Sequence, residues 1–433
     1  MEYFSTRGAG PVSLDEALRK GIASDGGLFL PQQLPSFEIS DFDDADSIAA
    51  VASVLLKPFF EGSVLLAEMD AILAETYSFE IPATALPIEG RDVSLLELYH
   101  GPTAAFKDVG AGFLAACLSR LEGNEDSPLT ILVATSGDTG GAVAAAFDKR
   151  PGMRVAVLFP DGRVSSRQEH QLCCWSDNVV SLKVKGAFDD CQALVKAAMA
   201  DSDLAQQHRF SSANSINIGR LLPQSTYYAD ASLRHFRRTG RKPGFVVPTG
   251  NLGNGFACIM ARAMGLPIGP IVLATNANKT ISDYFESNEW RPRSSLQTLA
   301  SAMDVGDPSN MERLRKLVGD AEVLSTQLHV TSVNDAEIES AIKQDFAEFG
   351  FATCPHTATA THSWRNLDAI DRDGNDWILV ATAHPAKFET IVEPLIGASI
   401  PLPAVLSDIL SRPSSSTVIE PNLTSLAAAL RDN

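Results

Sequence analysis

Positive charge is scarce in this chain. Its 433 residues carry 35 lysines and arginines against 53 aspartates and glutamates, a formal charge of −18, and a field of that sign repels a phosphate backbone over most of the surface. No nucleic-acid partner is expected, and any bound anion must be gripped by a local cluster of donors. Long apolar runs are missing as well: nothing approaches the roughly 20 residues that cross a bilayer, so no membrane partner is expected. The opening MEYFSTRGAG has neither the basic region nor the apolar core of a secretory signal, and a cytoplasmic location follows as the expectation. Cysteines number six (Cys117, Cys173, Cys174, Cys191, Cys258 and Cys354) with no C-x-x-C spacing among them. They read as reduced, mostly buried thiols, with no disulfide framework and no metal site. The sequons at Asn278 and Asn422 carry no meaning without a secretory route.

What is present describes a globular enzyme-sized chain. A 45% hydrophobic and 20% charged composition excludes disordered and fibrous classes, and the length is too great for one hydrophobic core. Residues 1–95 alternate amphipathic helical segments with proline-bounded turns. SLDEALRKGIA opens on a serine followed three residues later by glutamate, the pattern of a helix cap, and DADSIAAVASVLLKPFF and LAEMDAILAET continue the helical period. This lead-in is expected to be largely helical. From about residue 128 short apolar runs (TILVA, RVAVLFP, VVSLKV, GFVVP, PIVLATNAN, DWILVATA) alternate with helical segments such as FDDCQALVKAAMAD. Buried strands alternating with helices predict an α/β architecture of doubly wound parallel sheets in two lobes over residues 96–390. Residues 391–433 form a tail with two short helical segments, expected to pack on the core.

Ligands of α/β sheets bind where strands hand over to helices, because the first N–H groups of the helix are free there. Two such junctions are rich in glycine. PTGNLGNG (248–255) lets backbone approach an anion; it is not a P-loop, and the following strand lacks the acidic residue of a dinucleotide site. A monophosphate-sized anion or a simple tight turn both fit it. ATSGDTGG (134–141) offers Ser136, Thr139 and neighbouring amides to a carboxylate and Asp138 to a ligand hydroxyl; the alternative is a serine or aspartate cap on the alanine-rich helix. In SSANSINIGRLLPQ, Asn214, Ser215, Asn217 and Arg220 form either a second phosphate site or a polar loop. Lys107, in HGPTAAFKDVGAG, has apolar flanks and few charged neighbours. Desolvation would lower its pKa and make it a nucleophilic amine able to form a Schiff base. His100, His356 and His384 lie beside these motifs at no metal or triad spacing and are read as supporting residues, while Lys387 is either a phosphate partner or a surface lysine.

These motifs together with YFSTRG, SDGGLFLP, PHTATA and ATAHPAKF resemble, nearly end to end, the threonine synthases, pyridoxal-phosphate enzymes of fold type II in the tryptophan synthase β-like group. The resemblance implies pyridoxal 5'-phosphate as cofactor, held covalently by Lys107, which then moves protons. It implies that Gly250, Asn251, Leu252, Gly253 and Asn254 form the loop on the cofactor's phosphate; many relatives have phenylalanine at the Leu252 position. Thr382 is implied to face the pyridine nitrogen, where a neutral partner suits elimination and replacement better than transamination. Ser136, Gly137 and Thr139 are implied for the substrate carboxylate and Asp138 for the cofactor's 3-hydroxyl, with asparagine common at the Asp138 position outside this class. Asn214, Ser215 and Arg220 are implied for the substrate's phosphate. The implied reaction converts O-phospho-L-homoserine and water to L-threonine and phosphate. A dehydratase with the same cofactor, a silent metabolite-binding homologue and a nucleotide-binding enzyme are the rival readings.

Overall fold

A computed structural model describes residues 1–122 and 128–432. Its strands in chain order are β1 Tyr3–Ser5, β2 Phe29–Pro31, β3 Ala83–Ala85, β4 Val93–Glu97, β5 Leu129–Ala134, β6 Met153–Pro160, β7 Val179–Val184, β8 Arg209–Ser212, β9 Gly244–Pro248, β10 Ile271–Thr275, β11 Leu328–Ser332, β12 Trp377–Ala381 and β13 Thr417–Ile419. They form two larger sheets and a small antiparallel pair, β1 with β2. One sheet has the order β11-β10-β9-β12-β4-β3 and the other β13-β7-β6-β5-β8. Every pairing in the larger sheets is parallel except β3 with β4. The doubly wound, two-lobed α/β architecture expected from the sequence is therefore present. Its inner strands are continuous apolar runs because helices cover both faces: β9, β10 and β12 are buried at every position.

Three helices, Lys107–Glu122, Leu222–Thr239 and Gly253–Ala263, each start at one of the motifs singled out above and share one buried cluster with residues of both larger sheets. The first is buried on nearly every face, which its small residues allow. Gly110 is required there, because a Cβ at this position would lie 2.7 Å from the Arg220 carbonyl oxygen. That close approach sets Arg220 against the helix that begins with Lys107.

The lead-in belongs to the same core. The helix Ile48–Phe60 buries Leu55, Leu56, Phe59 and Phe60, and the Phe60 ring meets Phe113 edge-on at 5.9 Å. Ser13 accepts the Glu16 N–H at 3.2 Å as expected, but the Glu16 carboxylate turns to Lys20, so only half of the capping box forms. Nor is this region purely helical, since β1 to β4 fall within it or at its end. In residues 391–433, β13 extends the five-stranded sheet beside β7, with Thr417 opposite Leu182, and Leu426 and Leu430 share a buried cluster with Leu182 and Leu194. All six cysteines are free and buried. Asn278 is buried too, its side-chain amide donating to Leu296 O at 2.9 Å.

Candidate active site

Lys107 opens its helix directly after a loop stitched to the segment that follows β12. Phe106 N–H donates to Thr382 O at 2.8 Å, His384 N–H to Ala104 O at 3.0 Å, and Ala105 bridges Ala383. These bonds place Thr382, buried and with no partner for its hydroxyl among the described residues, beside the lysine. Lys107 keeps part of its side chain accessible but is otherwise enclosed by protein, with Nζ 5.7 Å from the Phe106 ring centre. Among the described residues Nζ makes no hydrogen bond or ion pair. Burial, reinforced by Arg220 and Lys387 and opposed by Asp138, lowers its pKa to about 8. Lys107 thus both starts a helix and is a desolvated amine.

The glycine-rich turn after β5 is organised by a residue the sequence did not single out. Thr135 Oγ1 accepts from Gly137 N–H at 3.0 Å and Gly140 N–H at 2.9 Å. Neither Ser136 nor Asp138 serves as the cap, which overturns the simpler reading of this motif. The amides of Ser136, Asp138 and Thr139 find no acceptor among the described residues, and the Ser136 and Thr139 side chains stay partly accessible. Asp138 is buried, with Oδ1 at 2.9 Å from Lys387 Nζ and 3.1 Å from Gln168 Nε2. Burial alone would raise its pKa, but the Lys387 and Lys107 ammonium groups outweigh that and hold it well below the usual carboxylate range. Lys387 is therefore no surface lysine: only 1% of it is exposed.

The third motif and the loop after β9 are one unit. Asn251 Nδ2 donates to Ser215 Oγ at 2.6 Å, and Asn251 Oδ1 accepts Ser309 N–H at 2.6 Å. Asn310 Nδ2 donates to Asn251 O at 3.0 Å. Arg313, fully buried, donates to Phe29 O at 3.0 Å, Asn310 Oδ1 at 2.6 Å and Ile216 O at 2.6 Å, tying the lead-in to both loops. Nothing local in the helical segment MERLRKL marks this arginine, so sequence reasoning missed it. Leu252 sits at φ +63° with its side chain buried, a conformation costing a residue with a Cβ about 1 kcal/mol or more. The consecutive amides from Gly250 to Gly255 find no acceptor among the described residues; Phe256, bonded to Leu252 O at 2.8 Å, is the first that does. Gly250 could carry no side chain, since its Cβ would lie 2.6 Å from Met303 Cα. Asn254 turns its side chain away, accepting from Tyr227 and Tyr228 hydroxyls at 2.6 and 2.8 Å.

Arg220 is buried without a carboxylate in contact. Nη1 donates to Ala213 O, Nε has no partner, and Asn214 Oδ1 is likewise buried and unpartnered. Burial lowers the Arg220 pKa to about 10, with Asp108 opposing. Asn217 instead faces the core, donating to Leu18 O at 2.9 Å. The histidines divide. His100 is exposed and paired with Glu97 at 2.7 Å. His384 caps its own turn through Ala386 N–H at 3.2 Å. His356 is buried and accepts Ala302 N–H at 3.0 Å. Burial pushes His356 and His384 down to about 4, so both are neutral at physiological pH. The carboxylate and imidazole trio Asp92, His235 and Asp376 is ion-paired with Arg238 and Arg241.

A free buried amine, a row of unpartnered N–H groups at a helix start, and an unpaired guanidinium match the needs of a phosphorylated aldehyde bound as a Schiff base. With the two-lobed parallel architecture, they define a pyridoxal-phosphate-dependent enzyme of fold type II. Comparison with known proteins agrees. Residues 72–382 match the model of pyridoxal-phosphate dependent enzymes, residues 2–77 that of the threonine synthase N terminus and residues 357–429 that of the threonine synthase C-terminal region. Threonine synthase of Serratia marcescens is 37% identical over 399 residues, 92% of this chain and 91% of the relative. The crystal structure of threonine synthase from Escherichia coli superposes with a TM-score of 0.90 at 34% identity and covers 100% of both chains. A pyridoxal-phosphate-bound threonine synthase from Brucella melitensis does so with a TM-score of 0.90 at 34% identity, covering 100% of this chain and 99% of that one. The chain belongs to the threonine synthase family, pyridoxal-phosphate-dependent lyases of amino-acid biosynthesis, and its cofactor is pyridoxal 5'-phosphate.

Proposed function

We propose that the chain converts O-phospho-L-homoserine and water into L-threonine and phosphate, with Lys107 as both the cofactor's covalent anchor and the group that moves protons at the substrate's Cα and Cβ. The observation that carries this reading is one desolvated, unpaired amine on which Asp138, Lys387 and a buried guanidinium, Arg220, all act, in a chain that also leaves two rows of N–H groups unpartnered at helix starts. When bound, pyridoxal phosphate supplies the electron sink that stabilises charge at Cα. The amides of Gly250, Asn251, Leu252, Gly253 and Asn254 would hold its phosphate at the dipole of the helix Gly253–Ala263. The Asn251 side chain is already engaged on both atoms, whereas Asn254 is held through Oδ1 by the two tyrosines and keeps a buried Nδ2 without a partner. Thr382 would offer a neutral hydroxyl to the ring nitrogen, and Asp138, paired with Lys387, would accept from the cofactor's 3-hydroxyl. Ser136 and Thr139 would orient the substrate's carboxylate through their free amides and hydroxyls, with Gly137, its own N–H taken by Thr135, shaping the turn, while Asn214, Ser215 and Arg220 would hold its phosphate and stabilise the negative charge of the leaving group.

The decisive measurement follows phosphate and threonine together from O-phospho-L-homoserine. Equal amounts of both are expected; cofactor uptake without phosphate release would overturn the substrate and spare the cofactor. With Lys107 titrating near pH 8, capture of pyridoxal phosphate by cofactor-free protein should accelerate as pH rises through about 8 and level off above it, because only the neutral amine attacks. A rate that is flat between about pH 6.5 and 9.5 would contradict this. Gly250→Ala should loosen cofactor binding about 30-fold, the equivalent of about 2 kcal/mol of backbone displacement. Unchanged affinity by equilibrium dialysis would remove Gly250 from the phosphate loop.

We also place the chain in the cytoplasm. No helix among the described residues is long and apolar enough to cross a membrane, and the cysteines are unpaired, which suits a reducing compartment.

A further inference from the structure

Lys387 has no solvent to neutralise it and no freedom to move. It sits in the turn Pro385–Phe388 after β12, whose start is pinned by the His384 cap. Its ammonium donates to Thr103 O at 2.7 Å and lies 2.9 Å from Asp138 Oδ1. Thr103 is itself immobilised, with N–H and hydroxyl bonded to Asp108 at 2.9 and 2.5 Å and the carbonyl also receiving Gln171 Nε2 at 3.3 Å. Asp138, the one carboxylate that acts on Lys107 across the site, is thereby taken up by a different cation. We propose that Lys387 is a positioning residue for Lys107: by occupying Asp138, it denies the Lys107 ammonium a full counter-ion and makes its proton easier to lose, enlarging the neutral, nucleophilic share.

The charges facing Lys107 come from four elements. Asp138 stands on the turn after β5, Lys387 on the turn after β12, Arg220 on the turn leading into the helix Leu222–Thr239, and His356 on the helix Pro355–Arg365. Asp108, next to Lys107 on its own helix, is directed at Thr103 and bears on Arg220. With His356 neutral, two positive charges stand against one negative, and a third ammonium at Lys107 is disfavoured on top of its desolvation. Without Lys387 the excess of positive charge is gone, with Arg220 alone against Asp138. Asp138 becomes a buried carboxylate lacking its ion-pair partner, a costly state, and the nearest flexible cation able to relieve it is Lys107. A protonated, paired Lys107 cannot attack an aldehyde.

The inference rests on Lys107 being the reactive amine, and its test reads proton affinity without any turnover. Full-length protein freed of cofactor is treated with trace acetic anhydride across a pH series, and acetylation of Lys107 is followed by peptide mass spectrometry. The cofactor-loaded chains are titrated in parallel by absorption. Lys387→Met should raise the half-point of Lys107 labelling by about one pH unit, slowing labelling about tenfold at neutral pH. Asp138→Asn should shift the half-point downward, and the charge-neutral pair Asp138→Asn with Lys387→Met should return it toward the wild-type value. Opposite shifts with recovery in the pair are not what a merely structural ion pair would produce. Single variants that leave the half-point unmoved, or move it in the same direction, overturn the proposal. If Lys387→Met does not fold, Asp138→Asn and the neutral pair still decide it. A wild-type half-point as high as that of solvated lysines would instead overturn the reading of Lys107 itself.

Discussion

Lys107→Ala is expected to abolish turnover, with kcat falling at least about 10³-fold, because covalent anchoring and proton transfer are lost together. The substitution should leave the fold intact. Lys107 Nζ makes no bond to the described protein, so its removal strands no partner, and the desolvated amine contributes nothing that alanine fails to supply at the start of a helix. The predicted signature is therefore a protein with unchanged circular dichroism that no longer retains cofactor after borohydride reduction. Full activity in this variant would reject the anchor role. A folded variant that binds cofactor reversibly but turns over no substrate would confirm that the loop from Gly250 to Asn254 acts independently of the covalent link.

The second large effect is expected at Arg220. Its guanidinium lies against Lys107's helix, buried, with Nε unpartnered and no carboxylate in contact. An unpaired buried cation is costly, and a phosphate arriving from the substrate would supply the missing counter-charge. Charge-assisted bonds contribute about 1.5–3 kcal/mol each. Arg220→Met should then reduce kcat/KM about 10²- to 10³-fold while the cofactor's absorption band stays in place. Part of the loss should appear in kcat, since the departing phosphate carries more charge in the transition state than in the bound substrate. Competition by inorganic phosphate should weaken in parallel. A variant with normal kinetics would detach Arg220 from the phosphate, and one that loses cofactor as well would show that its bond to Ala213 matters chiefly for folding.

The strands legible in advance were those buried on both sides. RVAVLFP, GFVVP and DWILVATA announce themselves because an inner strand between helices has no polar face. Of the strands the apolar runs do not predict, β3, β8, β11 and β13 lie at sheet edges, where half of each strand meets solvent and residues such as Ser211, His329 and Thr417 interrupt the run. β4 was hidden differently: VSLLE is as apolar as its neighbours and follows the turn around Gly90, but it lies beside a lead-in whose longer segments carry the helical period, and its hairpin partner β3 is exposed at every position.

At the site, composition and spacing identified which segments carry chemistry, since glycine at a strand-to-helix turn and a lysine among apolar residues are local properties. Charge state and partnership are not local. Lys387 reads like any other lysine until β12 and the turn after it bring it within 2.9 Å of Asp138, and Arg313 until Phe29 and Ile216 converge on it. Thr135 rather than Ser136 or Asp138 organises the first glycine turn because only folding decides which hydroxyl faces the free amides. The linear order of residues by itself determined the α/β class, the glycine loops and the candidate amine. The tertiary structure alone decided that this amine is desolvated and unpaired, because both conditions depend on atoms up to 280 residues distant whose separation and burial exist only once the sheets have packed.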